Sequence, residues 1–371
     1  MEARRSIKVC HFTSAHKPDD VRIFHKECSS LAAAGFDVYL VAANCASETK
    51  NGVKIVGVEA PLSGRFSRML KTSRIVYKKA LSLNADIYHF HDPELLPHAL
   101  KLKRRGKKVI YDTHEDVPKQ ILGKYWINKF LRRMVSAIFE WYENYVAARL
   151  DYIVAATPYI RERFKKVNKN TCDVCNYPII KELMSSGEWQ NRKAEVCYIG
   201  GITRIRGVVE VVNALEAANV KLNLAGDYSP AELRNELSAL PGWQHVNEYG
   251  FVGREKISEI LSRSKAGIVT LYPQPNYLDS LPIKMFEYML AGIPVVASDF
   301  PLWREIIEES KCGICVNPLD PQDIAAGIRK IMSDEQSAQK MGESGRAAVL
   351  EKYNWGVEEK KLVTIYNGLL R

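Results

Sequence analysis

No run in the 371 residues approaches the roughly 18 consecutive apolar residues that a membrane-spanning helix needs. The N-terminus also lacks the long apolar segment of a secretory signal peptide, because MEARRSIKVCHF leads directly into a strand-like pattern. No internal repeat and no low-complexity segment is found. These absences argue against an integral membrane protein, a secreted protein and a repeat protein, and we expect a cytoplasmic location.

Clear metal-binding and P-loop motifs are missing as well. The eight cysteines include two C-x-x-C pairs, Cys172/Cys175 and Cys312/Cys315. Both pairs lie in strand-like segments, where an offset of three points the two side chains to opposite faces. No nearby histidine completes a zinc set, so we expect free buried thiols and no metal. Without G-K-[ST], the sequence does not contain a P-loop.

Charge is distributed unevenly along the chain, whose net charge is +10. Residues 1–190 contain 32 Lys and Arg against 20 Asp and Glu, whereas residues 191–371 contain 21 against 23. This asymmetry predicts an anionic partner for the first half, either nucleic acid or an acidic membrane surface. An amphipathic helix at 62–81 either lies on an anionic bilayer or covers a sheet with a basic outer face. The aromatic helix at 124–150 is interpreted as core cover.

The first half opens as a doubly wound α/β domain, with strands at 7–12 and 36–42 separated by a loop and a helix. In such sheets ligands bind at the carboxyl edge of the strands. Arg22, in the segment after the first strand, contacts a phosphate or forms a surface salt bridge with Asp19. The polar residues that we place at this edge as candidates for binding an acceptor molecule are His16, Arg22, His91, Asp92 and Glu115.

A strand, a Gly-Gly turn, a basic loop and a helix follow one another at 195–215. Gly200 and Gly201 let the backbone approach a ligand closely. Arg204 and Arg206 precede a helix start, where a diphosphate would gain two guanidinium partners. A tight turn with solvated arginines is the alternative. Further along, the backbone around Val252 is a candidate for hydrogen bonding to a flat base.

The most informative stretch is DSLPIKMFEYMLAGIPVVASD at 279–299. Asp279 or Ser280 is expected to cap a helix that ends near Gly292 and precedes a buried strand. Asp279 and Glu287 stand eight residues apart, so both carboxylates can face one pocket at the helix start. Lys284 adds a cation there, and the free amides favour an anion. A nucleotide-sugar fits this pattern, and an ordinary βα unit with a charged helix face is the alternative.

These segments together resemble the retaining glycosyltransferases of family 4, which have the GT-B fold. Asp279 and Glu287 match the family's E-x7-E motif, with Asp in the first place, and YIGGITRIRG is similar to its diphosphate loop. IYDTHED resembles the segment of the active-site histidine, which corresponds to His114. Gly201 stands where the family usually has arginine, and TSAHKPDD lacks the usual glycine pair.

The resemblance implies two Rossmann-like doubly wound α/β domains facing a central cleft. The expected divisions are an N-terminal domain at 1–180, a linker at 181–192, a C-terminal domain at 193–351 and a returning helix at 352–371. The implied catalytic residues are His114, Asp279 and Glu287. The expected donor-binding residues are Gly200, Gly201, Arg204, Arg206, Val252, Ser280, Leu281, Pro282, Ile283, Lys284 and Glu287.

The implied reaction is metal-independent transfer of a hexosyl group, with retention, from a nucleotide-sugar to a hydroxyl. No cofactor is expected, and the acceptor would be lipid-linked or a glycan in bacterial surface-polysaccharide synthesis. The basic first half makes peripheral docking on the inner face of the cell membrane a candidate, and nucleic acid is not an expected partner of the enzyme. The alternatives are a nucleotide-sugar epimerase or hydrolase of the same fold, and a non-catalytic protein that binds nucleic acid or an anionic surface.

Overall fold

The chain forms two compact units. The computed structural model describes residues 6–61, 64, 67–124, 126–182 and 187–370. The first unit contains residues 1–176 and 358–371, and the second contains residues 177–357. Each unit is built on one sheet of mainly parallel strands with α-helical connections. The prediction of two Rossmann-like α/β domains is confirmed.

The first unit has an eight-stranded sheet in the order β3-β4-β2-β1-β5-β6-β7-β8, in which only the β3–β4 hairpin is antiparallel. Its strands are β1 (Lys8–Phe12), β2 (Asp37–Ala43), β3 (Glu48–Lys50), β4 (Val53–Val58), β5 (Ile87–Phe90), β6 (Lys108–Thr113), β7 (Tyr152–Ala155) and β8 (Thr171–Asp173). Its first helices are α1 (Ser29–Ala33), α2 (Ser73–Ser82), α3 (Leu96–Lys103), α4 (Val117–Leu122), α5 (Lys129–Ala147) and α6 (Pro158–Lys165). The π-helical segments Val21–Cys28 and Arg68–Thr72 precede α1 and α2.

The two strands predicted at 7–12 and 36–42 are confirmed as β1 and β2, which pair in parallel. Residues 62, 63, 65 and 66 at the start of the helix predicted at 62–81 lie outside the described residues; the rest is the Arg68–Thr72 segment and α2. The interpretation of the 124–150 helix as core cover is wrong for its aromatic face, since Trp126, Phe130 and Trp141 are mostly exposed.

The second unit has a six-stranded parallel sheet in the order β11-β10-β9-β12-β13-β14. Its strands are β9 (Glu195–Ile199), β10 (Lys221–Ala225), β11 (Val246–Gly250), β12 (Ala266–Val269), β13 (Val295–Ser298) and β14 (Gly313–Val316). Its helices are α7 (Val208–Ala218), α8 (Leu233–Ser238), α9 (Arg254–Arg263), α10 (Ile283–Leu290), α11 (Pro301–Ser310), α12 (Pro321–Ser333) and α13 (Glu335–Glu351). The central strands β9, β12 and β13 are buried along their whole length, as expected for a sheet covered on both faces.

The segment expected to be a polar linker, 181–192, belongs to the second unit, although residues 183–186 lie outside the described residues. Trp189 packs into the core of that unit. The Arg192 guanidinium is buried and donates hydrogen bonds to the carbonyls of Leu261, Ser264 and Ala291. The polar composition of this segment therefore suggested a linker, although Trp189 and Arg192 anchor it in the second unit.

The last helix, α14 (Trp355–Leu369), contains the point at which the chain returns to the first unit, at Glu358. Tyr366 of α14 is buried, and its hydroxyl lies within hydrogen-bond distance of His11 and His89 on β1 and β5. No helix among the described residues, including the 19-residue α5, combines the length and apolar character that crossing a membrane requires.

Candidate active-site residues in the two units

In the second unit, the loop between β9 and α7 brings the backbone to a sharp turn at the carboxyl end of the sheet. Gly200 has φ +104° and Gly207, at the start of α7, has φ +73°. A Cβ on Gly207 would lie 1.8 Å from the carbonyl oxygen of Thr270. Only glycine fits this approach, and the result is an open loop, with Arg204–Arg206 as a single 3-10 turn, directly before a helix N-terminus.

Arg206 lies across the Gly-Gly turn. Its Nη1 is 3.3 Å from the carbonyl oxygen of Gly201, and a Cβ on Gly201 would lie 2.6 Å from the same Nη1. The Tyr198 hydroxyl donates to the Arg206 carbonyl at 3.1 Å and holds the loop to the end of β9. The glycine in the place where the family usually has arginine thus leaves room for the Arg206 guanidinium.

Lys284, in the first turn of α10, faces the same loop. Its Nζ sits 3.7 Å from the centre of the Tyr198 ring and has no hydrogen-bond partner among the described residues, although the side chain is only 9% exposed. Burial first and then the Arg206 charge lower the pKa of Lys284 to about 7. Because a buried amine beside a second cation is costly without a counter-ion, this pair is arranged for an anion.

The start of α10 differs from the sequence-based expectation. The cap predicted at Asp279 or Ser280 is wrong, because α10 begins at Ile283 after Pro282 and no side chain caps its first turn. The Ser280 hydroxyl instead donates to the Tyr277 carbonyl at 2.9 Å, and the backbone carbonyl of Ser280 accepts from the buried Trp303 Nε1 at 2.7 Å. The uncapped turn leaves its amides available for an anion, which the helix dipole also favours.

The two motif acids differ in their surroundings. Glu287 is 6% exposed, and its Oε1 accepts from Arg254 Nη1 at 2.6 Å. Arg254 also lies 3.1 Å from Glu182. Asp279 lies in the turn before α10 and is half-buried, as are the predicted donor residues Ser280, Leu281, Pro282 and Ile283. The structure therefore places residues 279–284 at one helix start and adds Arg254, which sequence reasoning did not identify.

In the first unit, the polar ends of β1, β5 and β6 meet, because β5 pairs with both other strands. Asp112 is the centre of the group. Its Oδ2 lies 2.8 Å from His114 Nε2 and 3.1 Å from His91 Nδ1, and Arg22 donates to both of its oxygens at 2.9 and 2.7 Å. The sequence placed His91, Asp92 and Glu115 at the carboxyl edge of the sheet, and the structure has His91 and Asp92 directly after β5 and Glu115 after the neighbouring β6.

The Arg22 guanidinium decides the charge state of this group. The surface salt bridge of Arg22 with Asp19 is wrong, because Arg22 is buried against Asp112 and also donates to the Val174 carbonyl. Burial disfavours ionised Asp112, but Arg22 and His114 outweigh it and hold the pKa of Asp112 well below its usual range. Burial and the Asp112 charge raise the pKa of Glu27, whose Oε1 lies 3.2 Å from Arg22 Nε.

Three histidines of this group are fully enclosed and form the set that we call the buried histidines: His11, His89 and His91. Burial is the largest effect on each, and it lowers the pKa of all three. His11 Nδ1 lies 3.0 Å from His91 Nε2, and the Tyr366 hydroxyl lies 2.9 Å from His11 and 2.7 Å from His89. These rings are neutral near pH 7, and their hydrogen bonds connect Asp112 to Tyr366 of α14.

The accessible rim of the group contains His114 and His16, which are 18% and 31% exposed and whose rings lie 4.8 Å apart. His16 bridges two acids, with 3.4 Å to both Asp92 and Asp20. Asp92 is anchored by the Thr13 hydroxyl at 2.8 Å and the Ser14 amide at 2.5 Å. His16, Arg22, His91 and Asp92 thus gather around His114.

Comparison with known proteins shows that two family models match this chain. The model described as Glycosyltransferase Family 4 matches residues 21–174, and the model described as Glycosyl transferases group 1 matches residues 180–348. Between them they include Arg22, His91, Asp112 and His114 of the first group and Arg206, Lys284 and Glu287 of the second. The protein is a glycosyltransferase of the family 4 type.

Solved structures share the GT-B fold of this glycosyltransferase. Sucrose-phosphate synthase from Thermosynechococcus elongatus has a TM-score of 0.78 at 16% identity, covering 98% of this chain and 99% of that one. Anabaena HepE in complex with UDP and glucose has a TM-score of 0.73 at 15% identity, covering 98% and 100%. An uncharacterised glycosyltransferase of Methanocaldococcus jannaschii is 28% identical over 182 residues, or 48% of this chain and 45% of that protein.

Three of the candidate residues named from the sequence lie outside the groups described around Lys284 and Asp112. Arg204 is half-exposed and forms an ion pair with Glu236. Glu115 accepts from Gln120 of α4. Val252 is half-buried and follows the end of β11. The structure brings Arg206 and Lys284 together in the second unit, and it gives Arg204 a different partner.

The residues that sequence reasoning missed are His11, Glu27, Tyr198, Arg254 and Tyr366. Glu27, Tyr198 and Tyr366 lie within a strand or helical segments that read as ordinary core, so nothing in the local pattern marks them. Histidines inside the otherwise apolar strand segments IKVCHF and DIYHFH were the signal that was available. Arg254 follows Gly253 at a helix start, and only the fold shows that it reaches Glu287.

Proposed function

We propose that this glycosyltransferase moves a hexosyl group from a nucleotide-sugar, with retention of configuration, to a hydroxyl of a lipid-linked or glycan acceptor in cell-surface glycan synthesis. One observation carries the proposal: the buried Lys284 amine, which has no hydrogen-bond partner in the described part of the chain, lies next to Arg206 and the start of α10, which no side chain caps. Three sources of positive potential at one point favour a doubly charged group such as a diphosphate.

The chemical need of the reaction matches this arrangement. When the bond from the anomeric carbon to the diphosphate breaks, the leaving group gains negative charge and the sugar becomes oxocarbenium-like. Fixed cations and amides stabilise that charge in a place from which water is excluded. We therefore assign Arg206, Lys284 and the first amides of α10 to the leaving diphosphate. The charge on these groups is why we propose that no metal ion is required.

The acids are assigned to hydroxyl groups. Glu287 would bind the ribose and Asp279 the sugar, as the motif implies. Arg254 holds one Glu287 oxygen at 2.6 Å and orients the carboxylate, so the second oxygen is left for a hydroxyl. His114 would hold the sugar near the reacting carbon, with its ring fixed by Asp112 at 2.8 Å. No protein nucleophile is assigned.

On the acceptor side we assign His16, His91, Asp92 and Glu115 to binding, with Arg22 as a positioning residue for Asp112. For retention, the acceptor hydroxyl would attack from the face that the diphosphate leaves, and a phosphate oxygen would take the hydroxyl proton. The proton then stays with the leaving nucleotide, so no buried side chain has to change its charge. This agrees with a first unit whose acids are already paired with Arg22 or with backbone amides.

The test is binding followed by turnover. A thermal-shift screen against a panel of nucleoside diphosphates and nucleotide-sugars, including UDP and UDP-glucose, should find at least one that raises the melting temperature, because ligand that binds only the folded state stabilises it. Lys284→Met should abolish that shift. Lys340→Met, at an exposed lysine on α13, is the matched control and should keep it.

Product analysis decides the reaction class. With the donor found in the screen and a mixture of lipid-linked and oligosaccharide acceptors, the proposal requires a glycoside whose anomeric configuration matches the donor. Free sugar formed at the same rate with and without acceptors would instead show a hydrolase, and an isomeric nucleotide-sugar would show an epimerase. Absence of binding to every nucleotide tested would overturn the assignment of Arg206 and Lys284.

A further inference from the structure

Helix α5 exposes an apolar stripe. Five of its large side chains recur at intervals of three or four residues, which places them on one side of the helix. They are Phe130, Met134, Ile138, Trp141 and Tyr145, exposed by 78%, 44%, 59%, 68% and 42% respectively. We call these five residues the α5 stripe. Such a contiguous row of exposed apolar residues marks a contact surface.

The stripe is not needed to hold α5 in place. The opposite side of the helix is buried and contains Ser136, Glu143, Val146 and Ala147. Ser136 donates to the Pro118 carbonyl at 2.9 Å, and Glu143 accepts from the Tyr111 hydroxyl at 2.9 Å. The inner side is thus anchored by Val146 and Ala147 in the core of the first unit and by these polar contacts, while a second apolar side of the helix faces outward.

The charges around the stripe have one dominant sign. Lys129, Arg132, Arg133 and Arg149 occur on α5 or directly after it, and the first turn contains no acid, although acids are favoured at a helix start. The only acids in this stretch are Glu140 and Glu143, and Glu143 is buried in an ion pair with Arg163. The stripe is therefore bordered by cations at both ends.

The aromatic residues have the amphipathic form that suits an interface. The Trp141 and Tyr145 rings stack at 6.0 Å, and the Arg149 guanidinium lies 3.6 Å from the centre of the Tyr145 ring. Trp141, Tyr145 and Arg149 thus follow one another along about two helical turns, from an apolar ring to a cation. Tryptophan and tyrosine prefer the boundary between hydrocarbon and lipid headgroups, where an arginine can meet a phosphate.

We propose that the α5 stripe docks on the surface of an anionic lipid bilayer, with the helix lying in the plane of the headgroups. A second copy of the chain is the less favourable occupant, because two-fold pairing of this face would bring eight cations together with only two exposed acids. Apolar residues bordered by Lys and Arg are what interfacial helices use on anionic membranes. This surface is defined by α5 alone and does not depend on the assigned sugar transfer.

The experiment is sedimentation with vesicles in the absence of donor. The full chain should bind vesicles of phosphatidylglycerol and phosphatidylcholine at low salt, should bind phosphatidylcholine vesicles far more weakly, and should lose most binding at about 0.5 M salt. Phe130→Ser with Trp141→Ser should lower the partition coefficient at least about tenfold, because most of the aromatic contact is removed. Arg132→Gln with Arg133→Gln should weaken binding to the anionic vesicles only.

Phe251→Ser is the matched control, since Phe251 is 79% exposed but lies in the second unit, and it should bind vesicles as the unchanged chain does. Far-UV circular dichroism and thermal unfolding should show that all variants are folded. Equal binding by the Phe130/Trp141 variant and the unchanged chain would overturn the proposal. The proposal would also be overturned if the unchanged chain did not bind anionic vesicles and instead formed a dimer. Sedimentation velocity would detect that dimer, and the Phe130/Trp141 variant would then be monomeric.

Discussion

If Lys284 binds the diphosphate as we propose, its buried amine should make nucleotide affinity depend on pH above neutrality. Its pKa is about 7 in the free protein, because it is buried and faces Arg206. A diphosphate bound beside it would favour the charged amine and raise the pKa toward the ordinary Lys value. Binding at alkaline pH therefore requires uptake of one proton, and affinity must fall as the pH rises through the lower pKa.

The size of the effect follows from the two protonation states. If the bound form stays protonated, the Kd for UDP should rise about 25-fold between pH 7.5 and pH 9, since a free amine with a pKa of about 7 loses roughly that factor of protonated population. This corresponds to about 1.9 kcal/mol of binding free energy. At pH 8 nearly one proton, about 0.9, should be taken up per UDP bound. The UDP phosphates add little to the change, because they are already ionised in this range.

Isothermal titration calorimetry measures both quantities. Titrations in two buffers of different ionisation enthalpy give the proton uptake, and a pH series gives the Kd. Lys284→Met, which has nearly the same length and no charge, should bind weakly and without this proton uptake. It should also be at least as stable as the unchanged chain at neutral pH, since it removes an uncompensated buried cation. A Kd that changes less than about threefold over the same pH range, or that changes equally in the variant, would refute the reasoning.

Three further predictions follow from particular contacts. Gly201→Ala should displace Arg206 and weaken UDP binding about 10- to 100-fold by calorimetry, with a nearly unchanged melting temperature, because the added Cβ meets only the end of a flexible side chain. Arg22→Leu should lower the free energy of unfolding, measured with urea, by about 3–5 kcal/mol, because Asp112 is left buried without its partner; Arg22→Leu with Asp112→Asn should recover part of the loss. Acidification from pH 6.5 to 5 should destabilise the first unit, because the buried histidines bind protons only when the unit is unfolded. Glu27 has the opposite effect, because its carboxyl group releases a proton when the unit unfolds. For these four groups alone the difference of about two protons corresponds to a loss of up to about 2.7 kcal/mol per pH unit, and unfolding curves that coincide at pH 6.5 and 5 would contradict the prediction.

Much of the fold could be predicted from the sequence because it depends on local patterns. The buried strands of a parallel sheet are continuous apolar runs, and β1, β2 and β13 were recognised in that way. Helix ends marked by glycine, such as Gly35 and Gly292, were also visible, and both have positive φ. These features are decided by neighbours in the chain, so a single sequence contains them.

The residues that were misjudged depend on contacts between distant parts of the chain. Arg22 appeared to be a surface residue, but its guanidinium reaches Asp112, ninety positions later. Trp189 and Arg192 lay in a segment that was polar overall, yet both are buried. The outward orientation of the α5 stripe was also hidden. An amphipathic pattern shows that a helix has two sides, and only the packing of Glu143 and Ser136 shows which side is inside.

The two polar groups of this glycosyltransferase contrast in a way that indicates their roles. In the first unit Asp112 is fully buried, yet Arg22, His91 and His114 satisfy both of its oxygens. A buried charge with all its partners holds side chains in fixed positions and gains little from a further ion. In the second unit Lys284 is nearly as buried and has no hydrogen-bond partner among the described residues, and the largest effect of a neighbouring charge on it, that of Arg206, is repulsive. A folded protein keeps such a group only where something outside the chain completes it, and an anion is the group that can do so. The satisfied group therefore orients His114 at its rim, and the unsatisfied one is where we propose that the donor gains its binding energy.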